Sequence, residues 1–154
     1  MTIKPTMTRA PINTIVIPFR KGDDGNFEFA VFHRADDSMW HFLSGGAEDD
    51  ETAFDAAQRE AMEEAAIPSN FYWIKLDSRA SIPRTAYSPT SHWPDDLLVV
   101  PEFSFAVDVA NHQIVLSAEH DQSKWLNFEE ASKLLSWDSN RVALWELNER
   151  LTRK

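Results

Sequence analysis

Glu60, Glu63 and Glu64 stand close together in a segment, residues 51–66, that is dominated by alanine and glutamate and holds neither glycine nor proline. Those residue types favour a helix, and Pro68 stops it soon afterwards. On a helix Glu60 and Glu64 lie one turn apart with Glu63 beside them, so the three carboxylates share an arc of about 100°. Carboxylate oxygen is the donor that hard cations such as Mg²⁺ and Mn²⁺ prefer. A cation held there would bridge phosphoryl oxygens to the protein and make an attacking water more acidic. Hydrolysis at phosphorus is the chemistry this pattern suits.

Glutamates alone do not make a site. A like-charge pair at this spacing costs an exposed helix only about 0.2–0.5 kcal/mol, so a solvated face can carry several without any role. A solvated face does not, however, require fixed distances to other residues. Here Gly45 precedes Glu51 by six positions, Glu51 precedes Arg59 by eight, and Arg59-Glu60-Ala61-Met62-Glu63-Glu64 follows without a break. Six fixed polar or glycine positions, each at about 6% usage, coincide by chance with a probability of about 10⁻⁵ in a chain this size. The arrangement resembles the Nudix box, whose pattern runs glycine, glutamate, an Arg-Glu pair, an aliphatic residue, a Glu-Glu pair, glycine and an aliphatic residue. All but the second glycine are present, and Ala66 stands in its place. Glycine there suits a left-handed turn after the helix, so alanine is expected to burden the helix exit by about 1 kcal/mol and to leave the chemistry alone.

The resemblance implies that Glu60, Glu63 and Glu64 ligate metal or supply a base, joined by the carbonyl of Ser44 just before Gly45. It implies that Glu51 and Arg59 hold the Gly45 loop against the helix through charge-assisted bonds. A second resemblance, to the bacterial dihydroneopterin triphosphate pyrophosphatases also described as dATP pyrophosphohydrolases, extends over most of the chain. It is carried by His33-Arg34-Ala35-Asp36-Asp37 and Trp40, by Glu119-His120 followed by Lys124-Trp125-Leu126, and by Trp137-Asp138-Ser139-Asn140-Arg141. It implies that Glu119 is a further metal ligand or general base on a loop facing the helix. His120 beside it reads as a packing or loop histidine.

Anhydride oxygens not held by metal need cationic donors, and Arg34, Arg79, Arg84, Lys124 and Arg141 are the candidates. Trp40, Trp73, Tyr87, Trp93 and Phe103 are candidates to stack on a planar base or pterin. Arg34, Trp40, Arg84 and Lys124 lead among these as substrate contacts, while Trp125, Trp137 and Trp145 read as packing.

The elements that must position these groups follow from local pattern. Residues 12–18 and 28–34 are short runs of branched and aromatic residues around a turn cluster at 21–26, a strand hairpin. The aromatic patch 39–43 leads into Ser44-Gly45-Gly46, where the glycines suggest a tight loop. In the glutamate helix Ala53, Phe54, Ala57, Ala61 and Ala65 form one small-residue stripe suited to packing on a sheet. Residues 71–82 and 99–109 read as longer strands joined through a pocket-shaping loop at 87–96. A short apolar piece at 114–116 and Lys124-Trp125-Leu126 precede two helical stretches, 128–135 and 139–151. The order is α+β, and the resemblance makes it a Nudix-like α/β/α sandwich with a mixed central sheet, the glutamate helix packed on it and C-terminal helices.

The bulk properties agree. A chain of 154 residues with 43% hydrophobic residues suits a single domain over 1–154. With 25 acidic against 15 basic residues, net -10, a nucleic-acid polymer is not an expected partner, since backbone binders need a basic face. The absence of cysteine rules out a disulfide framework, a thiolate metal site and a cysteine nucleophile. Residues 1–11 carry Lys4 and Arg9 without a following apolar run, so a cytoplasmic location away from membranes is expected. The function expected is Mg²⁺- or Mn²⁺-dependent hydrolysis of a small nucleoside or pterin triphosphate to the monophosphate and pyrophosphate. A sugar nucleotide or dinucleoside polyphosphate substrate, a nucleotide-binding module without turnover, and homodimerisation all stay open.

Overall fold

The computed structural model describes residues 8–88 and 90–153; Lys4 lies outside them. Among the described residues seven strands form one mixed sheet: β1 (Arg9–Lys21), β2 (Phe27–Arg34), β3 (Trp40–His41), β4 (Leu43–Glu48), β5 (Tyr72–Pro83), β6 (Val99–Asp108) and β7 (His120–Leu126). The helices are α1 (Ala53–Ala65), α2 (Phe128–Leu134) and α3 (Asp138–Thr152). The sheet runs β3-β2-β1-β6-β5, with β4 added on β1 and β7 on β2. β1 and β6 are parallel, whereas the other pairs are antiparallel.

The expected sandwich is present, and β1 shows how it is built. Its alternate residues point to opposite faces. Ile15, Ile17 and Phe19 join Phe29, Val31 and Ala106 in a core closed by Ala131, Ala143, Leu144 and Leu147 of α2 and α3. Val16 joins Ala30, Phe32, Leu43, Phe105 and Val107 in a second core, closed by Ala57, Ala61 and Ala65 of α1. The small stripe on α1 works as expected, letting the helix lie close on the sheet. Thr52 caps it in a reciprocal box with Asp55, two orphan N-terminal donors being satisfied at once. Among the described residues no helix is long and apolar enough to cross a membrane.

One expectation is corrected. Ser44-Gly45-Gly46 is not a loop but the middle of β4, paired with β1 from Gly46 opposite Asn13 to Leu43 opposite Val16. The glycines are needed for space, as the site shows.

Ala66 takes φ 55° and ψ 39°, the left-handed conformation expected of the position where the box pattern has glycine. The turn is a left-handed cap, with the Ala66 amide donating to the Met62 carbonyl at 3.0 Å and the Ile67 amide reaching back to the Ala61 carbonyl at 3.1 Å. Ala66→Gly should therefore stabilise the protein by about 0.5–1 kcal/mol, the relieved Cβ clash exceeding the extra freedom of glycine in the unfolded chain. Urea unfolding should show a later midpoint at an unchanged slope, with unaltered activity.

Candidate functional site

A cleft of about 1000 Å³ opens over the β1–β4–β6 part of the sheet. One end is carboxylate-rich, with Glu60, Glu64 and Glu119; the other is walled by Tyr87 and Ser88 from the loop after β5 and by residues 137–140 at the start of α3.

The carboxylate end is assembled around Gly45. A Cβ built on Gly45 would lie 2.1 Å from Cδ of Glu60, and one on Gly46 would lie 2.5 Å from Cζ of Arg9. Neighbouring residues of a strand face opposite ways, so the twin glycines admit Glu60 against one face of β4 and Arg9 against the other. Arg59 fixes the arrangement. Its Nε and Nη2 donate to the two oxygens of Glu51 at 2.9 and 3.0 Å, Nη2 also to the Gly46 carbonyl at 2.9 Å, and Nη1 to Glu60 at 3.0 Å and Glu63 at 3.1 Å. Glu51 in turn accepts from the Glu48 amide at 2.8 Å. One guanidinium thus ties strand, turn and helix together.

Among the described residues Glu64 is the deepest of the acidic groups, 3% exposed, and its Oε2 has no hydrogen-bond partner. Burial first, then contact with the carboxylates of Glu119 and Glu60, pushes its carboxyl up to about 11. Burial also raises Glu60, against the opposing pull of Arg59. Glu119 reaches Glu64 because the segment before it is stitched to the end of α1: the amides of Val115 and Ser117 donate to the carbonyls of Ala65 and Glu64, each at 3.2 Å. Glu63 is placed differently. Its side chain is 58% exposed, turned to Arg59, and does not line the cleft. Among the described residues no three acidic or imidazole groups are splayed around one point as a ready coordination shell. Glu64 sits between Glu60 and Glu119, and the set consists wholly of oxygen donors, one of them orphaned. That composition fits a hard divalent cation.

Beside them His41 and His120 are buried with their Nε2 atoms 2.8 Å apart, so one donates and the other accepts. Burial, then the neighbouring His120, depresses His41 to about 3, and burial lowers His120 as well. Both are therefore neutral at pH 7. His120, read from sequence as a packing histidine, is a wall of the cleft.

Ser44 lines the cleft, its Oγ accepting from Asn13 at 3.3 Å. Among the substrate candidates Arg34 also lines it, with its guanidinium laid on Asp36 at 2.9 and 3.0 Å. Lys124 and Trp40 lie elsewhere, the ammonium 5.0 Å from the indole centroid. Arg84 spends its donors on backbone carbonyls of its own loop, those of Thr90 at 2.7 Å, Leu97 at 3.0 Å, Trp93 at 3.3 Å and Pro94. Arg141 is bound to the Leu135 carbonyl and Asp138. Arg79 lies 4.9 Å over the ring of Phe103, and Trp73 packs edge-on against Phe54. Trp93 is buried and donates to the Arg9 carbonyl at 2.9 Å. Tyr87 does line the cleft, with the Arg9 guanidinium 4.5 Å over its ring. Trp137, expected as packing, is 48% exposed at the cleft mouth.

Sequence reasoning missed a polar group on the cleft floor. Arg9 Nη2 donates to Asn13 Oδ1 at 3.1 Å, and Asn13 Nδ2 donates to Glu102 Oε2 at 2.7 Å. Asn140 accepts from the Phe42 amide at 2.8 Å. The available signal was a polar residue at an inward position of each apolar strand, Asn13 before Ile15 in β1 and Glu102 after Val100 in β6.

Residues 11–145 match the model of the NUDIX domain. The chain is 25% identical over 144 residues to the dihydroneopterin triphosphate diphosphatase of Escherichia coli K12, covering 92% of this chain and 95% of that protein. Among solved structures, a NUDIX hydrolase from Listeria monocytogenes is 43% identical with a TM-score of 0.82, covering 92% of this chain and 94% of that one. The E. coli dihydroneopterin triphosphate pyrophosphohydrolase superposes with a TM-score of 0.72 at 25% identity, covering 93% of this chain and 99% of that one. A C. elegans Ap4A hydrolase shares the fold, with a TM-score of 0.70 at 20% identity over 90% of this chain and 96% of that one.

Proposed function

This chain belongs to the Nudix family as a hydrolase of pyrophosphate bonds, and from that premise we propose that it converts a nucleoside or pterin triphosphate to the monophosphate and pyrophosphate, with Mg²⁺ or Mn²⁺. The observation that carries the reading is the carboxylate end of the cleft, where the orphaned, buried oxygen of Glu64 lies between Glu60 and Glu119. The triphosphate class follows from the likeness to the E. coli diphosphatase, which spans nearly the whole of both chains.

Glu60, Glu64 and Glu119 would hold the cation, with the Ser44 carbonyl and Glu63 as the remaining candidates. When bound, the metal supplies polarisation of the phosphoryl oxygens and a more acidic attacking water. Arg59 keeps Glu60 aimed at the cleft by taking one of its oxygens. Glu119, exposed on the facing segment, or Glu60 accepts the proton of the water as its oxygen bonds to phosphorus. Pyrophosphate departs with the electrons of the broken P–O bond. Arg34, which alone of the candidate cations Arg34, Arg79, Arg84, Lys124 and Arg141 lines the cleft, would neutralise the phosphates by leaving Asp36 for them. His41 and His120, neutral and buried, add no charge that would compete with the cation.

The test is product release from dATP, dGTP, dihydroneopterin triphosphate and a sugar nucleotide with Mg²⁺. Pyrophosphate should appear from the triphosphates, with loss of turnover on chelation, and Glu63→Gln should be less damaging than changes at the buried glutamates. No turnover across the panel, or orthophosphate in place of pyrophosphate, would remove this reading.

A further inference from the structure

We propose that Glu102 reads the heterocycle of the substrate, selecting a ring edge that presents two adjacent N–H donors: the 2-amino-4-oxopyrimidine edge shared by guanine and pterin. Glu102 lines the cleft, is only 5% exposed, and has one oxygen committed and one free. Oε2 accepts from Asn13 at 2.7 Å, while Oε1 is buried and, among the described residues, has no partner in full hydrogen-bond geometry, although the Ser139 hydroxyl stands close to the carboxylate. A carboxylate in that condition is an acceptor lacking its donor.

The carboxylate is held in place. Asn13 accepts from Arg9 through Oδ1 and donates through Nδ2 to both Glu102 and Ser44, so its amide has one consistent orientation. The ligand therefore meets a fixed pair of acceptor sites, the whole of Oε1 and the second lone pair of Oε2. Two parallel N–H groups match that pair, as in a bidentate contact to carboxylate. Burial holds the Glu102 carboxyl above its ordinary range against the lowering effect of donors from Asn13 and Ser139, and two ligand donors would add to that lowering.

Position agrees with chemistry. Gly45 touches Glu60, its neighbour Gly46 pairs with Asn13 on β1, and Asn13 pairs with Glu102 on β6. Two strand spacings, about 10 Å of backbone, separate β4 at Gly46 from β6 at Glu102, and Glu60, Glu64 and Glu102 line the same cleft. A ligand with its phosphates at Glu60 and Glu64 would lay its ring over the Asn13–Glu102 floor, between the faces of Tyr87 and Trp137. Adenine offers at its pairing edge one amino donor beside a ring acceptor, which would confront the carboxylate. Hypoxanthine keeps the ring N–H but lacks the amino group.

This inference rests on the triphosphatase reading for where the phosphates lie, but its test does not require turnover. Binding of dGMP, dIMP, dAMP and dihydroneopterin monophosphate to the full chain is measured by calorimetry, with and without Mg²⁺. The expected result is at least ten-fold tighter binding of dGMP, of the pterin, or of both, than of dIMP and dAMP; which of the two binds identifies the source of the edge. In Glu102→Gln the amide oxygen must stay with Asn13, so NH₂ faces the ligand and the preference should collapse toward dAMP. Binding of dIMP or dAMP by the wild type within ten-fold of both dGMP and the pterin, or an unchanged preference in Glu102→Gln, would overturn the proposal. Selective binding without hydrolysis would instead sink the enzyme reading and leave Glu102 in its role.

Discussion

Glu64→Gln is expected to lower turnover by about 10²–10³-fold and yet to raise the thermal stability of the metal-free protein. The loss follows from removing the carboxyl oxygen between Glu60 and Glu119 that would give up its proton to bind a cation. The gain follows from the same crowding. A carboxyl raised from 4.5 to about 11 binds a proton more readily in the folded chain than in the unfolded one. Its contribution to stability is complete below about pH 4.5 and is lost progressively as pH rises toward 11. The amide carries no charge to desolvate and donates to the flanking carboxylates. In chelator at pH 8 the variant should melt about 4–8 °C above the wild type, equivalent to about 2 kcal/mol. Its melting temperature should also fall less steeply between pH 5 and 9. Pyrophosphate release and melting curves across that range decide the matter; a variant that melts lower, or keeps activity within ten-fold, would contradict the assigned environment of Glu64.

Gly45→Ala tests geometry instead of charge. The new Cβ would stand 2.1 Å from Cδ and 2.3 Å from Oε1 of Glu60, closer than any real contact allows. Because β4 is paired with β1 on that stretch, the strand cannot yield easily, and Glu60 must swing off Arg59. Overpacking of this kind costs about 1–3 kcal/mol, and a displacement of about 1 Å at a reacting group costs about 10²-fold in rate. The expected variant is folded, melts several degrees lower and has kcat reduced by about 10²-fold or more. Wild-type kinetics from Gly45→Ala would show that Glu60 need not lie against the strand.

These two residues also mark how far the sequence could be read. The box spacing placed Glu60, Glu64, Glu51 and Arg59 on one helix and one support, because a helix converts spacing directly into a shared face. The strand hairpin, the longer strands and the two late helices were legible for the same reason, since each has a local period. The role of Gly45 was not, because its requirement is a contact with a residue fifteen positions later. The assumption that glycine means a loop failed where glycine means proximity. Charge in sequence also says nothing about whether a cation is free: Arg84 and Arg34 looked alike, and only the fold shows one caged by its loop and the other at the cleft. Asn13 and Glu102 come from strands 89 residues apart, and nothing local joins them.

Arg84 holds its loop through main-chain oxygens of Thr90, Trp93, Pro94 and Leu97. Apart from the Thr90 hydroxyl, which also accepts from Arg84 at 3.3 Å, a clamp of that kind is indifferent to which side chains the loop carries. Mutational drift along the rim can therefore alter what the cleft presents to a ligand without dismantling the rim, provided Arg84 and the Trp93 anchor to the Arg9 carbonyl are kept. Selectivity is then free to diversify at a rim whose hold is mostly on main-chain oxygens.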